Sequence, residues 1–327
     1  MINQFRSLNP INILLLILVA AVLRLGVLMQ LPDKINFDFI EPFARFLIVL
    51  PIENAFSPFA NVLSAGIIML VQAFIFNKII NDYNLLGKPT FLPALLYVTA
   101  MSLFPPFVLL TPTLFCNFLV LWMIEKFLSV YKRDEVISVM FDLGMMVAAG
   151  TLIYFPFIAM MPLLWISLMI FRPFYWREWL AGIIGFITIF FFIGVYYYWN
   201  DSLDQFYKIW LPLAAPFPVN FHINWYDYLV LIPVVVILGF GIVQMSSNFF
   251  RSFVQIRKSF QLLFFMLLLG LVSFYLKPEF RLYHFMLCVP PVAVMMAYYF
   301  VQAGKKRWIY EGLYLSLVGF IIYFQIF

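Results

Sequence analysis

The stretch INILLLILVAAVLRLGVLMQL, residues 11–31, contains one charged side chain, Arg24, in 21 positions. A helix that crosses the hydrocarbon core of a bilayer needs roughly 20 consecutive apolar residues. The stretch therefore predicts a membrane-spanning helix near the start of the chain. The preceding MINQFRSLNP is short and polar, and no small-residue cleavage site follows the run, so we expect a retained span rather than a signal peptide.

The same pattern continues along the 327 residues, of which 65% are apolar and 11% charged. A soluble domain is about half apolar and a quarter charged, so this composition excludes a soluble enzyme and a nucleic-acid-binding protein. We predict an all-α, polytopic transmembrane helix bundle of about eleven spans, in a single transmembrane domain over residues 1–327. The predicted spans are 11–31, 59–77, 91–104, 107–128, 139–154, 157–171, 180–199, 228–245, 260–276, 283–303 and 308–327.

The basic residues predict an orientation. Of 20 Lys and Arg residues, 14 fall in connections on the side of the N-terminus, five fall on the other side, and Arg24 lies within a span. Because cytoplasmic loops carry an excess of Lys and Arg, we expect N-in and C-out. One alternative stays open: residues 143–171 form either two short helices turned at Pro156, which we favour, or one long tilted helix that inverts everything after it.

Two outer loops follow from this topology, residues 31–58 and 200–227. The segment 38–50 is too short to span, and we expect a short interfacial helix there. Asp33 and Asp38 are the candidate catalytic carboxylates of the first loop; the alternative is a solvated face with an ion pair between Glu41 and Arg45.

Cations on the outer side are the second group of candidates. Arg24, inside a span, is costly without a partner, and Lys277, Arg281 and His284 precede a late apolar, Pro-containing span. We predict a lipid-phosphate site from these four residues, against the alternatives of headgroup anchoring and a structural ion pair.

On the inner side, RPFYWREW at residues 172–179 places arginines beside aromatic residues. Arg172, Trp176, Arg177 and Trp179 are the candidates here for an inner interface, either with anionic lipids or with a partner protein. Two cysteines and two histidines in the whole chain predict no metal site.

The arrangement resembles the polytopic glycosyltransferases of the GT-C superfamily. The resemblance is carried by LRLGVLMQLPDKINFDFIEPFARFL (23–47), by the Pro-punctuated helix pairs at 91–128 and 143–171, and by RLYHFMLCVPPVAVMMAYYF (281–300). It implies a polyprenyl-phosphate-linked sugar as donor, handled at the outer face, with Asp33 or Asp38 as base and Arg24, Lys277 and Arg281 near the phosphate. The paired acidic motif of that group appears here only as the spaced Asp33 and Asp38.

The R-P-F-x-W-R-E-W string also resembles multi-pass inner-membrane proteins of Bacteroidota, which implies a bacterial inner membrane. Two alternatives to the glycosyltransferase hypothesis stay open. One is a non-enzymatic subunit of an envelope complex for secretion, motility or glycan export, with membrane protein partners. The other is a lipid or solute transporter, although few ionisable residues lie within the predicted spans to couple transport to ions.

Overall fold

The computed structural model describes residues 1–31, 57–131, 133–214, 226–248, 253–276, 281–302 and 307–326. Within these ranges the chain is helical and contains no strand. The helices are α1 Ile2–Phe5, α2 Ile11–Val22, α3 Leu25–Met29, α4 Pro58–Asp82, α5 Leu92–Ala100, α6 Pro112–Ser129, α7 Ile137–Ile153, α8 Met161–Phe171, α9 Trp176–Trp199, α10 Leu203–Ala214, α11 Leu231–Asn248, α12 Val254–Val272, α13 Val289–Val301 and α14 Arg307–Ile326. Short 3₁₀ segments lie at Pro105–Val108, Phe155–Met160, Asp227–Val230, Ser273–Leu276 and Leu282–Cys288.

Seven helical segments in the described ranges are long and apolar enough to cross a membrane. They are Pro58–Asp82, Pro112–Ser129, Trp176–Trp199, Tyr228–Ser247, Val254–Leu276, Leu282–Val301 and Trp308–Ile326. The other four predicted spans correspond to shorter helices: α2 has 12 residues, α5 has nine, α7 has 17 and α8 has 11. The predicted interfacial helix at 38–50 lies outside the described residues.

Prolines begin several of these helices. Pro58 and Pro112 each occupy the first turn, directly after Ser57 and Thr111, whose hydroxyls accept hydrogen bonds from the first-turn amides. Proline suits this position because its missing N–H would have no partner in the helix and its φ is already helical. Pro162, in the first turn of α8, follows a break at Tyr154, where φ is −148° and ψ is 107°. The stretch 143–171 is therefore two helices, as the turn at Pro156 predicted.

Side-chain amides of α4 bond to the short, fully buried α5 and to the chain around the start of α6. Gln72 donates to the carbonyl of Leu114 at 2.6 Å and accepts from the Tyr97 hydroxyl at 2.9 Å. Asn61 accepts from the backbone of Leu110 at 2.9 Å, just before α6 begins. Where a helix ends inside an apolar region, its free backbone N–H and C=O groups need such partners, because each unsatisfied group costs several kcal/mol there.

Helices α7 and α9 pack backbone against backbone. A Cβ at Gly144 would overlap the carbonyl of Gly182, and a Cβ at Gly185 would overlap the carbonyl of Phe141. Small residues four apart, Gly144 with Ala148 and Ala181 with Gly185, are the pattern that allows such close approach in membranes. We call this contact the closed seam.

Three segments of the chain meet at one end of the bundle. The N-terminal ammonium lies 2.7 Å from Glu311, Arg6 donates to the carbonyl of Val301 at 2.6 Å, and the amide of Phe91 donates to the carbonyl of Phe5 at 2.9 Å. The start of the chain, the α4–α5 connection and the α13–α14 connection therefore meet, and we call this the N-terminal end.

Candidate functional site

A lateral groove lies between α2–α3 and α4. On one wall the residues are Ile17, Ala20, Ala21, Arg24, Leu25 and Leu28, and on the other they are Phe59, Val62, Leu63, Gly66, Ile67 and Leu70. In both walls the lining residues recur every three or four positions, so each wall is one face of its helical segment. First and last lining residues are eleven positions apart, which corresponds to a length of about 16 Å. The groove encloses about 330 Å³.

Among the described residues that line this groove, Arg24 is the only charged one. Its side chain is 5% exposed, and among the residues that the structure describes none accepts a hydrogen bond from Nε, Nη1 or Nη2. A buried charge without a partner costs more free energy than almost any other feature of a fold, so it is normally paired or serves a function.

Gly66 makes room for the guanidinium. A Cβ built at Gly66 would lie 3.3 Å from Nε of Arg24 and 3.6 Å from its Cζ, so the guanidinium lies directly over the glycine. Gly66 is eight residues from Pro58, the first residue of α4, and this separation places the charge about 12 Å along the helix axis. The positive group is therefore well inside the apolar part of the bundle.

The backbone is also broken at Arg24. Helix α2 ends at Val22 and α3 begins at Leu25. Arg24 lies between them with φ −104° and ψ −10°, and its amide donates to the carbonyl of Ala21 at 3.1 Å. The predicted single span 11–31 is therefore two helices joined at the charged residue. Large apolar side chains at the rim stay open, with Ile67 57% and Leu63 55% exposed. The groove thus faces sideways, where lipid would surround the bundle.

The structure does not bring the other predicted phosphate ligands into this groove. Asp33, Asp38 and Lys277 lie outside the described residues. Arg281 is half-buried, with its guanidinium 6.0 Å from the ring centre of Tyr283, and it does not line the groove.

His284 was expected on or just within the outer surface, but it lies in the interior, 2% exposed. Nε2 lies 3.1 Å from the carbonyl of Gly270 and 2.9 Å from Oγ of Ser273, and Nδ1 lies 2.8 Å from the hydroxyl of Tyr154. A carbonyl only accepts, so in a neutral ring Nε2 carries the hydrogen and Tyr154 donates to Nδ1. Both nitrogens are engaged, and His284 links its own 3₁₀ segment to the break at Tyr154 and to the end of α12 rather than presenting a donor to a ligand.

The four candidates of RPFYWREW separate into two pairs. Arg172 donates to the carbonyls of Arg133 and Asp134 and lies 3.1 Å from Glu178, with both charged side chains less than a tenth exposed. Trp179 accepts at its carbonyl from the Trp165 indole, 3.3 Å away. This pair is structural.

The other pair faces outward. Trp176 is 59% exposed and Arg177 is exposed, with its guanidinium 5.7 Å from the Trp176 ring centre. The aromatic rings of Phe174 and Tyr175 beside them are exposed as well. These four residues form an exposed aromatic strip, which lies in the chain between Arg172 and Glu178, the two residues of the buried ion pair.

The sequence pattern indicated Arg24 as a candidate but not Gly66 or the two groove walls. The spacing was visible in both segments, and Ala20 and Ala21 sit one turn before Arg24. Which face of each helix meets the other depends on packing across 42 residues of chain. Helix α10 was not predicted from the sequence either. It packs on α9 through Trp210 and Phe190, whose ring centres lie 4.6 Å apart.

The chain belongs to a family of unknown function, DUF6427, whose model matches residues 35–327. Comparison with curated proteins gave no match, and comparison with solved structures gave none either.

Proposed function

We propose that this chain is a multi-pass protein of the bacterial inner membrane that takes the phosphate of a lipid-linked sugar into the Arg24 groove. In this proposal it is a glycosyltransferase of the GT-C type, or a degenerate relative. The observation that carries the proposal is the buried guanidinium of Arg24, with no acceptor among the described residues, in an apolar groove open to the side.

A phosphate on an apolar chain complements both parts of this groove. Arginine binds phosphate through two parallel charge-assisted hydrogen bonds, which are about twice as strong as neutral ones. The aliphatic walls, from Ile17 to Leu28 and from Phe59 to Leu70, offer an apolar chain a surface without hydrogen-bonding demands. A water-soluble anion would satisfy the guanidinium but leave those walls unused.

The proposed reaction uses the first outer loop. Asp33 or Asp38 accepts the proton of an acceptor hydroxyl, whose oxygen forms a bond to the anomeric carbon of the sugar. The bond from that carbon to the phosphate oxygen breaks, and the lipid phosphate leaves with the electron pair and is held by cations. Arg24 serves this role, with Lys277 of the outer turn as a further candidate, and the displacement inverts the anomeric centre.

The finer topology belongs to this proposal too. We propose eleven membrane crossings or partial crossings, N-in and C-out, with the shorter helices α2, α5, α7 and α8 completing the seven long segments. Supporting this, the start of the chain, the α4–α5 connection and the α13–α14 connection, which the proposal puts on one side, meet at one end of the bundle.

The binding step is tested with purified full-length protein in lipid nanodiscs, using undecaprenyl phosphate as the probe and native mass spectrometry as the readout. Arg24→Gln should weaken binding at least tenfold, Arg24→Lys should weaken it less because one point charge remains, and the exposed-cation control Arg177→Gln should bind like wild type. Equal binding by Arg24→Gln and wild type would overturn the site.

The catalytic step is tested separately with a polyprenyl-phosphate sugar as donor. Asp33→Asn and Asp38→Asn are expected to abolish sugar transfer in at least one variant while the lipid still binds. Transfer at wild-type rate in both variants, or in the double variant, would contradict the role of these carboxylates.

A second candidate function is a non-enzymatic membrane subunit. The groove walls carry the three-and-four spacing with which one helix packs on another, so a partner helix with a carboxylate could also neutralise Arg24. A photo-crosslinking residue at Ile67 separates the two functions, with the exposed Ile184 of α9 as the matched control. An adduct of lipid mass at Ile67 supports the first function, and an adduct of protein mass at Ile67 alone supports the second.

A further inference from the structure

The guanidinium of Arg24 lies flat against the position of the side chain that Gly66 lacks. A Cβ built at Gly66 would be 3.3 Å from Nε and 3.6 Å from each of the two carbons bonded to it, Cδ and Cζ. With N–C bonds of about 1.3–1.5 Å, these distances place the Cβ position directly above Nε, on the perpendicular to the plane of the group. The face of the guanidinium, and not its edge, is therefore turned towards α4.

This orientation decides where the donors of Arg24 point. The five N–H groups of a guanidinium lie in its plane and form a fixed fork. Because that plane runs alongside α4, the N–H bonds are parallel to the surface of the helix and do not point at its backbone. The orientation accounts for the lack of an acceptor on α4, although the Arg24 side chain is only 5% exposed.

The backbone of α4 does not need a glycine at position 66. Gly66 lies in the helix interior, where glycine is less favourable than alanine, and among the described glycines a positive φ is found only at Gly87. Unlike the glycines of the closed seam, Gly66 does not bring two backbones together. Outside its own stretch of helix, the three atoms nearest to its Cβ position all belong to Arg24. The glycine therefore provides the space in which the guanidinium lies.

We propose that Gly66 is a positioning residue of the Arg24 groove, which keeps the guanidinium flat and its N–H edge free for a phosphate with two free oxygens. Two parallel N–H···O bonds form only when the phosphate lies in the plane of the guanidinium, beside Arg24 and alongside α4. This inference rests on the function proposed above. It adds the edge-on direction of binding and the class of headgroup, a phosphate with two adjacent acceptors in place of a single hydroxyl.

The test compares full-length Gly66→Ala with wild type in lipid nanodiscs, with undecaprenyl phosphate as the probe and native mass spectrometry as the readout. The added methyl group would lie 3.3 Å from Nε, so the guanidinium must shift by a few tenths of an ångström, and one of the two hydrogen bonds is lost. Loss of one charge-assisted bond should weaken binding roughly tenfold. The matched control is Gly312→Ala in α14, where a Cβ meets nothing within 4 Å, and it should bind like wild type.

A second probe and two further backgrounds separate positioning from an altered groove wall. Undecaprenol, which has no phosphate, should bind equally to Gly66→Ala and to wild type. In the Arg24→Gln background, adding Gly66→Ala should weaken binding of the phosphate probe no further, because no guanidinium remains to be positioned. In the Arg24→Lys background it should cost less than about twofold, because an ammonium is a point charge without a plane to tilt.

The outcomes distinguish this inference from the proposed function. Wild-type affinity in Gly66→Ala, the same loss for undecaprenol, or the same loss in the Arg24→Gln background would overturn the positioning role and leave Arg24 as the phosphate ligand. Equal binding by Arg24→Gln and wild type would overturn the proposed function itself. Gly66→Ala should keep the elution position and melting temperature of wild type, since alanine suits a helix interior. A large fall in melting temperature would also overturn the inference, because it would assign Gly66 to helix packing.

Discussion

The closed seam between α7 and α9 and the open groove between α2–α3 and α4 both depend on glycine and arginine, but these residues have opposite effects in the two regions. In the closed seam, Gly144 and Gly185 let two backbones touch, and the nearby Arg172 is held by Glu178 and two carbonyls. In the open groove, Gly66 makes room for Arg24, which has no hydrogen-bond acceptor among the described residues. A glycine and an arginine therefore do not indicate a role until their neighbours are known.

The comparison predicts its largest effect at Arg172. Arg172→Gln should destabilise the protein by about 3–5 kcal/mol, because removing one partner leaves the buried carboxylate of Glu178 uncompensated. Thermal unfolding of purified protein in detergent measures the loss. The double variant Arg172→Met/Glu178→Leu should recover part of it, and a double variant as unstable as the single one would show that the charge pair is not the cause.

The glycine contact of the closed seam predicts the next effect. Gly185→Ala should cost roughly 1–3 kcal/mol or more, because the added methyl group meets a backbone carbonyl that cannot move without shifting the helix. Gly319→Ala is the matched control, since a Cβ at that helical position meets nothing within 4 Å. Similar melting temperatures for the two variants would contradict the close packing of α7 on α9.

Replacing Arg24 should change the stability in the opposite direction, towards a more stable protein. Arg24→Met removes a buried charge that no described residue compensates, so the lipid-free protein should become more stable by about 1–3 kcal/mol, while affinity for the phosphate-lipid probe falls. Thermal unfolding in detergent, with and without the probe, measures both effects. Destabilisation comparable to that of Arg172→Gln would mean that Arg24 has a structural partner and that the two regions do not differ as described.

The smallest change in stability is expected at the exposed aromatic strip. Arg177→Gln should change stability by no more than about 0.5 kcal/mol, because its guanidinium is exposed and lies over the exposed Trp176 ring. The same unfolding assay measures it, alongside Arg172→Gln five positions away. A large loss in Arg177→Gln would remove the distinction between the structural and the exposed pair of this string.

Much of the helical architecture could be predicted from local sequence. Apolar runs located the long helices, and the repeated prolines predicted the turn before α8, because proline acts within one helical turn of its position. The break at Arg24 and the helix α10 were not predicted. The run 11–31 has no proline to mark a break, and α10 is defined by aromatic contacts with α9 rather than by its own hydropathy.

The candidate site divides in the same way. Sequence alone identified Arg24 as an unusual charge, because a guanidinium in an apolar run is costly wherever its partner lies. It also grouped Arg24 with His284 and treated Arg172 as an interface residue. The structure separates them: both nitrogens of His284 and the guanidinium of Arg172 are engaged within the protein.

By itself, the sequence determined that this protein is helical and built from apolar, membrane-length segments, since hydropathy and helix length are local properties of the chain. Only the tertiary structure decided which charges are neutralised, which glycine makes room for a side chain and where a groove stays open. The reason is physical: the groove joins Arg24 to Gly66 across 42 residues, and Arg172 binds carbonyls 38 and 39 residues away. Tertiary packing, and not the local sequence, determines which residues come into contact over such separations.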